Sequence, residues 1–457
     1  MRFRIAVALS LAVLLSAGLV ALDRLVGPAE PAEGATSSGA EPPATADLSG
    51  SWFCPHGGGE GWRAWIAVAN PSDRTAALRV STVGVAGGRV ETPAEVAPET
   101  VAYVEVPADR APAASTVEFF GAPIGAGMVI TLPDRAGVAA DPCAAAASRE
   151  WLIPGGTTIR GQRARLVIMN PFSTAATVDV SLAAARRLVR PGALRGLVLP
   201  PRRSASIDLN RFALGEGAVA ASVRATLGRV VAGAVGISTE GVRAAIGVPA
   251  PARAWVLPGI ADDGMTDLQV FVPGREEAPF RVRAQRVDGQ GPVLDEASVA
   301  GGFAEKFELE VDQAGLVVEA AGAKPFVASR RTGSTDAGDG ALTAGAVPSA
   351  TRWLALPASR PGGAGARLLL VNPGGRTARA RVTLLSDTGP VDAPSLQDVT
   401  LEPGRILVVD LSSIAGLRPV AAVVEVMDGT LVPAQESISS EGYAVSAGIP
   451  LPGLLSR

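Results

Sequence analysis

The sequence predicts an all-β molecule: an N-terminal transmembrane helix, a disordered linker, then four tandem antiparallel β-sandwich repeats of immunoglobulin-like size. Three observations carry that prediction. A tryptophan recurs at Trp52, Trp151, Trp255 and Trp353, and a period of about a hundred residues marks an array of small domains. Short apolar or alternating segments follow each tryptophan, separated by glycine and proline, which is the signature of strands and turns. Helical periodicity is nearly absent beyond the first residues. A β-propeller with two blades per repeat is the alternative all-β arrangement, but no half-period of blade length is visible.

From the N-terminus, Arg2 and Arg4 precede an apolar run from Ile5 to Leu22. Such a run spans roughly 27 Å as a helix, enough to cross a bilayer. The leading positive charges place the N-terminus in the cytoplasm and the bulk outside. Residues 1–26 are therefore expected to be a signal anchor, giving a single-pass protein of the cell membrane; a cleaved signal peptide is the rival reading. Residues 27–49 are rich in Pro, Ala, Gly, Ser and Thr, a composition that buries no core and predicts a disordered linker.

The repeats are expected at 50–150, 151–253, 254–351 and 352–457, each compact by itself. About eighteen residues after each tryptophan comes an apolar strand ending in a turn: Asn70-Pro71, Asn170-Pro171, Val272-Pro273 and Asn372-Pro373. Proline ends a ladder because it has no N–H to donate. An alternating strand follows, such as Ala77-Leu78-Arg79-Val80, as a sheet with one wet face requires. Next comes an acid between apolar residues, at Glu105, Asp208, Glu310 and Asp410, with Pro98, Pro201 and Pro403 a few residues upstream in three repeats. Closing strands end each repeat, for example Val242–Pro249 and Tyr443–Pro450. The third repeat diverges, with Val272 in place of asparagine and a glycine-rich insert around Asp336. The stretch Ala144–Glu150 is expected to form a turn or two of helix between repeats.

Composition excludes more than it selects. The 457 residues are 47% hydrophobic and 19% charged, with a net charge of −3, so four cores can be filled. The arginines are scattered, which gives no footprint for nucleic acid. Lys306 and Lys324 are the only lysines. With one histidine and two cysteines, a zinc site of the usual ligands is excluded. Asp262-Asp263 and Asp336 with Asp339 are the best calcium candidates, yet each lies beside turn glycines, where Asp is common for turn geometry alone. The repeated acids supply one carboxylate per domain, which reads as an outward position on a strand. Gly57–Gly61 lacks a phosphate-loop lysine and reads as a loop. Cys54 and Cys143, at the two ends of the first repeat, are expected to form a disulfide, which an exported location permits. The competing reading pairs Cys54 with His56 as a nucleophile and base, but no third orienting group is present.

The order Trp-x-x-Pro-Gly, strand-Asn-Pro, alternating strand, Pro-x-Arg turn and apolar-Asp-apolar resembles the actinobacterial domain-of-unknown-function family DUF5719. Ser51-Trp52-Phe53-Cys54-Pro55 is similar to that family's opening string, and the likeness covers residues 50 to 457. The resemblance implies an exported, membrane-anchored β-repeat protein with no assigned activity, associated with envelope biogenesis. The expected function is thus a non-enzymatic extracytoplasmic scaffold or adhesion module of the cell envelope. It would have no catalytic, cofactor or metal residues, would touch the membrane through its N-terminal helix, and would bind envelope proteins or wall glycan but no nucleic acid. The alternative, a cell-wall glycan or carbohydrate-binding module, requires Trp62, Trp65 and Tyr103 to be exposed together.

Overall fold

The computed structural model describes residues 48–451, apart from the short stretches 59–61, 85–87, 108–112, 133–135, 240, 261–264 and 335–338. The expected leader and nearly all of the expected linker lie outside the described residues. Among the described residues no helix is long and apolar enough to cross a membrane.

The first repeat sets the plan. Its strands are β1 (Ser49–Gly58), β2 (Arg63–Asn70), β3 (Ala76–Gly84), β4 (Arg89–Val96), β5 (Thr100–Val106), β6 (Ala113–Phe120), β7 (Gly125–Thr131) and β8 (Val138–Pro142). They form two antiparallel sheets with the orders β1-β6-β3-β4 and β5-β2-β7-β8. The chain passes repeatedly between the sheets, which makes a sandwich; a propeller blade would instead be a meander of consecutive strands. This interleaving is also why no half-period exists. β3 begins with an alternating buried and exposed pattern, whereas β2 is buried along nearly its whole length. A strand covered on both faces needs a second layer beyond its own sandwich partner.

The same pair of sheets recurs in each of the other three repeats. In the second and fourth, the counterpart of β4 is broken into two short strands around a 3-10 turn, Gly192–Leu194 and Pro394–Leu396. Ala144–Glu150 is not helical. Ala144 instead forms a bridge with Phe53 and Ser148 one with Val230, so the connector continues the sheet edge.

The landmarks of the repeat are hydrogen-bonding devices. The indoles of Trp52, Trp151 and Trp255 donate to the carbonyls of Ile124, Val230 and Phe326 at 3.0, 2.6 and 2.8 Å. Each acceptor is the residue just before β7 or its counterpart. Trp353 departs from this and donates to Ala350. Asn70 is fully buried and its amide reaches the carbonyls of Arg74, Val96 and Ala97. Asn170 makes the equivalent three bonds and Asn372 two of them. One side chain thus ties the turn after β2 to the end of β4. In the third repeat Val272 is buried, and backbone bonds with Gly302 and Phe303 do the tying. The Pro-x turns place Glu99, Arg202 and Gly404 at φ 52°, 51° and 73°, the left-handed conformation of a type II turn.

The four repeats pack on one another. The described residues make one compact unit. β8 touches both Gly241–Ile246 and Gly442–Ala447, and each of these touches Asp339–Ala344, so the four inner strands close a ring of contacts. Small side chains such as Ala140, Ala245, Ala344 and Ala444 fill this hub, which lets the backbones approach. Leu354, Leu356 and Ile449 of the fourth repeat share a core with the first two. Val256, Ile260 and Val317 of the third join the core of the fourth.

Candidate functional site

The sequence pointed first to Cys54 and Cys143. They form a disulfide across 89 residues with both side chains buried, joining β1 to the residue after β8. Phe53 and Ala144 exchange two backbone hydrogen bonds beside it. No thiolate is left to act as a nucleophile. His56 lies two residues on, fully buried, with Nε2 2.9 Å from Ser115 Oγ, which in turn lies 2.8 Å from Thr82 Oγ1. Burial pushes its imidazole down to about 3, so it is a neutral member of a buried polar chain.

The repeated acids are all exposed but do two different things. Asp208 and Asp410 cap short helical turns, accepting from Asn210 N at 3.0 Å and Ser412 N at 2.9 Å. Asp410 opens the five-residue helix Leu411–Ala415. Glu105 and Glu310 cap no such turn. A shorter carboxylate reaches back to its own backbone, which explains why Asp and Glu alternate at this position. Asp262, Asp263 and Asp336 lie outside the described residues, as does the side chain of Asp339. Among the described residues no group of three acidic, histidine or cysteine side chains is placed to hold a metal. Most of Gly57–Gly61 is likewise outside them. Trp62 and Trp65 are buried, and Tyr103 is half-buried with its hydroxyl donating to Ser359 O at 2.6 Å. These rings therefore do not form the exposed platform that glycan stacking would use.

Polar side chains, of which only Tyr103 was singled out in the sequence, sit at the seams between repeats. At the first seam Asp141 of β8 accepts from Ile246 N at 2.6 Å, and burial raises its carboxyl to about 8 against that bond. At the second, Gln269 accepts from Gly155 N and donates to Gly156 O. At the third, Glu436 accepts from Ile260 N and from the Tyr443 hydroxyl, each at 3.1 Å. Burial pushes Glu436 up to about 7, opposed by Arg367 at 2.8 Å. The seam that closes the ring has Tyr103 with Ser359, Gly137 N on Glu441 O, and an Arg360–Glu441 ion pair. Each seam is therefore read by a side chain bonding to a neighbour's backbone. At the first and third seams the signal in sequence was one charged residue, Asp141 or Glu436, inside an apolar closing strand.

Two open clefts lie on seams. One, of about 570 Å³, is bordered by Arg63, Trp65, Arg360 and Glu441. The other, of about 530 Å³, lies between the second and third repeats and is lined by Arg190, Arg195, Arg224 and Arg275 with Glu150 and Asp179.

The architecture defines a class: a disulfide-tied, all-β repeat protein whose four sandwiches close on one another. The chain belongs to the family of unknown function DUF5719, whose model matches residues 118–351 and 329–435. No curated protein matches it. Among solved structures, one described as "Crystal structure of tetra-tandem repeat in extending region of large adhesion protein" is 13% identical. That match covers 89% of this chain and 100% of that one at a TM-score of 0.11, too poor a superposition to carry an argument.

Proposed function

We propose that this DUF5719 protein is a non-enzymatic scaffold or adhesion module of the actinobacterial cell envelope, held outside the membrane by its N-terminal helix and linker. The observation that carries the reading is the Cys54–Cys143 disulfide, a bond that persists in oxidising compartments. The residues with chemical potential support the non-enzymatic part. Cys54 is oxidised, His56 is buried, and two of the four repeated acids cap helical turns. A closed ring of sandwiches suits a rigid platform, because each repeat is braced on two sides.

The test is thiol trapping and protease shaving on intact cells expressing the full chain. Export predicts fully blocked thiols before reduction and loss of the β-rich region to external protease. Free thiols in a protected protein would refute the reading.

A further inference from the structure

The cleft between the second and third repeats gathers four arginines against two acids. Arg224, on the strand Val219–Leu227, and Asp179, on Ala176–Ala184, stand opposite each other in the cleft. Arg190 and Arg195 approach from the segment around the 3-10 turn, and Arg275 from the turn of the third repeat where Val272 replaces asparagine. Among the described residues none of these four arginine side chains has an ion pair or a side-chain hydrogen bond. Asp179 already accepts from Gly196 N at 2.7 Å, and Glu150 is the other acid present.

The other repeats provide an internal standard. At this cross-strand site they place arginine opposite glutamate: Arg79 with Glu118, Arg281 with Glu319 and Arg381 with Glu425. Each of those glutamates is paired with an arginine, at 2.7 Å from Arg79, 2.7 Å from Arg283 and 3.3 Å from Arg352. Only the second repeat inverts the polarity: Arg224 stands between Asp179 and Glu150 on the neighbouring strands, forms an ion pair with neither, and lies beside three further arginines. A guanidinium offers a planar fork that matches carboxylate and phosphate oxygens.

We propose that this groove binds an extended anion carrying carboxylate or phosphate groups, held by Arg224 from the second repeat and Arg275 from the third. Because the arginines stand on walls contributed by separate repeats, a chain with several anionic groups engages both, and a single small anion does not. The inference stands apart from the export reading, since it depends only on the charges in the groove.

The test uses the full chain in mild detergent, with polygalacturonate as the carboxylate probe and inorganic polyphosphate as the phosphate probe. Binding is followed by calorimetry at low and moderate salt. At least one polymer should bind, with affinity falling as salt rises, and acetate or inorganic phosphate should compete weakly. Loss of two charge-assisted contacts in Arg224→Gln with Arg275→Gln should weaken binding by about tenfold or more. Asp179→Asn should tighten it, and Arg381→Gln, at the matching site of the fourth repeat, should leave it unchanged. Unaltered melting of these surface variants confirms folding. The polymer preferred identifies the anion. Absence of binding to both polymers, a double variant that binds like the parent, or an equal loss in Arg381→Gln would overturn the proposal.

Discussion

Two residue types show how local chemistry specifies this repeat. Asn170 sits buried with its amide bonded to three carbonyls on two loops. Truncation to alanine leaves those acceptors unpaired, so Asn170→Ala should lower unfolding free energy by about 2–4 kcal/mol in denaturant titration. Arg202 sits at φ 51°, where a side chain is strained and glycine is not. Arg202→Gly should therefore be neutral or stabilise by up to about 1 kcal/mol, the reverse of the usual effect of glycine. Asp141 supplies a pH signature. Its folded value near 8 lies above that of an unfolded carboxylate, so the native state holds more protons between about pH 4 and pH 8. Stability is favoured at the acid end of that window and is lost as pH rises through it. Asp141→Asn should flatten the fall, melting higher than the parent at pH 8 and no higher at pH 4. The residual slope belongs partly to Glu436, whose carboxyl is also raised by burial.

At the scale of elements, the strands were legible in the sequence and their partners were not. Trp52, Trp151 and Trp255 announce the strands they open because each satisfies its indole within its own repeat. The Asn-Pro turns announce themselves because proline and a buried amide leave few alternatives. The inner strands carry no such mark. Val138–Pro142 and Gly241–Ile246 are short, apolar and alanine-rich, so they read only as closing strands. Likewise Asp141 and Glu436 are single charges whose meaning depends on a backbone N–H from another repeat. Gly125 tests the importance of these approaches. A Cβ there would clash with Leu354 Cδ2 across the closing seam, and Leu354 is fully buried. Gly125→Val should cost about 1–3 kcal/mol through overpacking, and Leu354→Ala in the same chain should recover part of that loss in thermal melts.

At the scale of the molecule, the shared cores decide how it unfolds. Independent repeats would melt as several transitions, but here a repeat that opens exposes apolar surface on both neighbours. Calorimetry of the full chain should show one dominant transition for the β-rich region, with calorimetric and van't Hoff enthalpies in agreement. Separate transitions would contradict the shared cores. The disulfide acts on the same equilibrium, closing a loop whose ends are 89 residues apart. Cys143→Ser should lower stability by about 4 kcal/mol in the chain-entropy description. Its effect should be felt throughout the ring and not in the first repeat alone. The ring itself was not legible, since contacts such as Tyr103 with Ser359 join residues 256 positions apart. Periodicity reports the copies but not whether the last one meets the first.

That meeting has an evolutionary corollary. Open solenoids lengthen and shorten freely, provided that end caps shield the exposed termini of the stack. Here inner strands from all four copies complete a circuit, so there is no end to cap and no slack to absorb a fifth copy or the loss of one. Duplication can have produced this chain, but once the circuit closed, copy number became as fixed as any core residue.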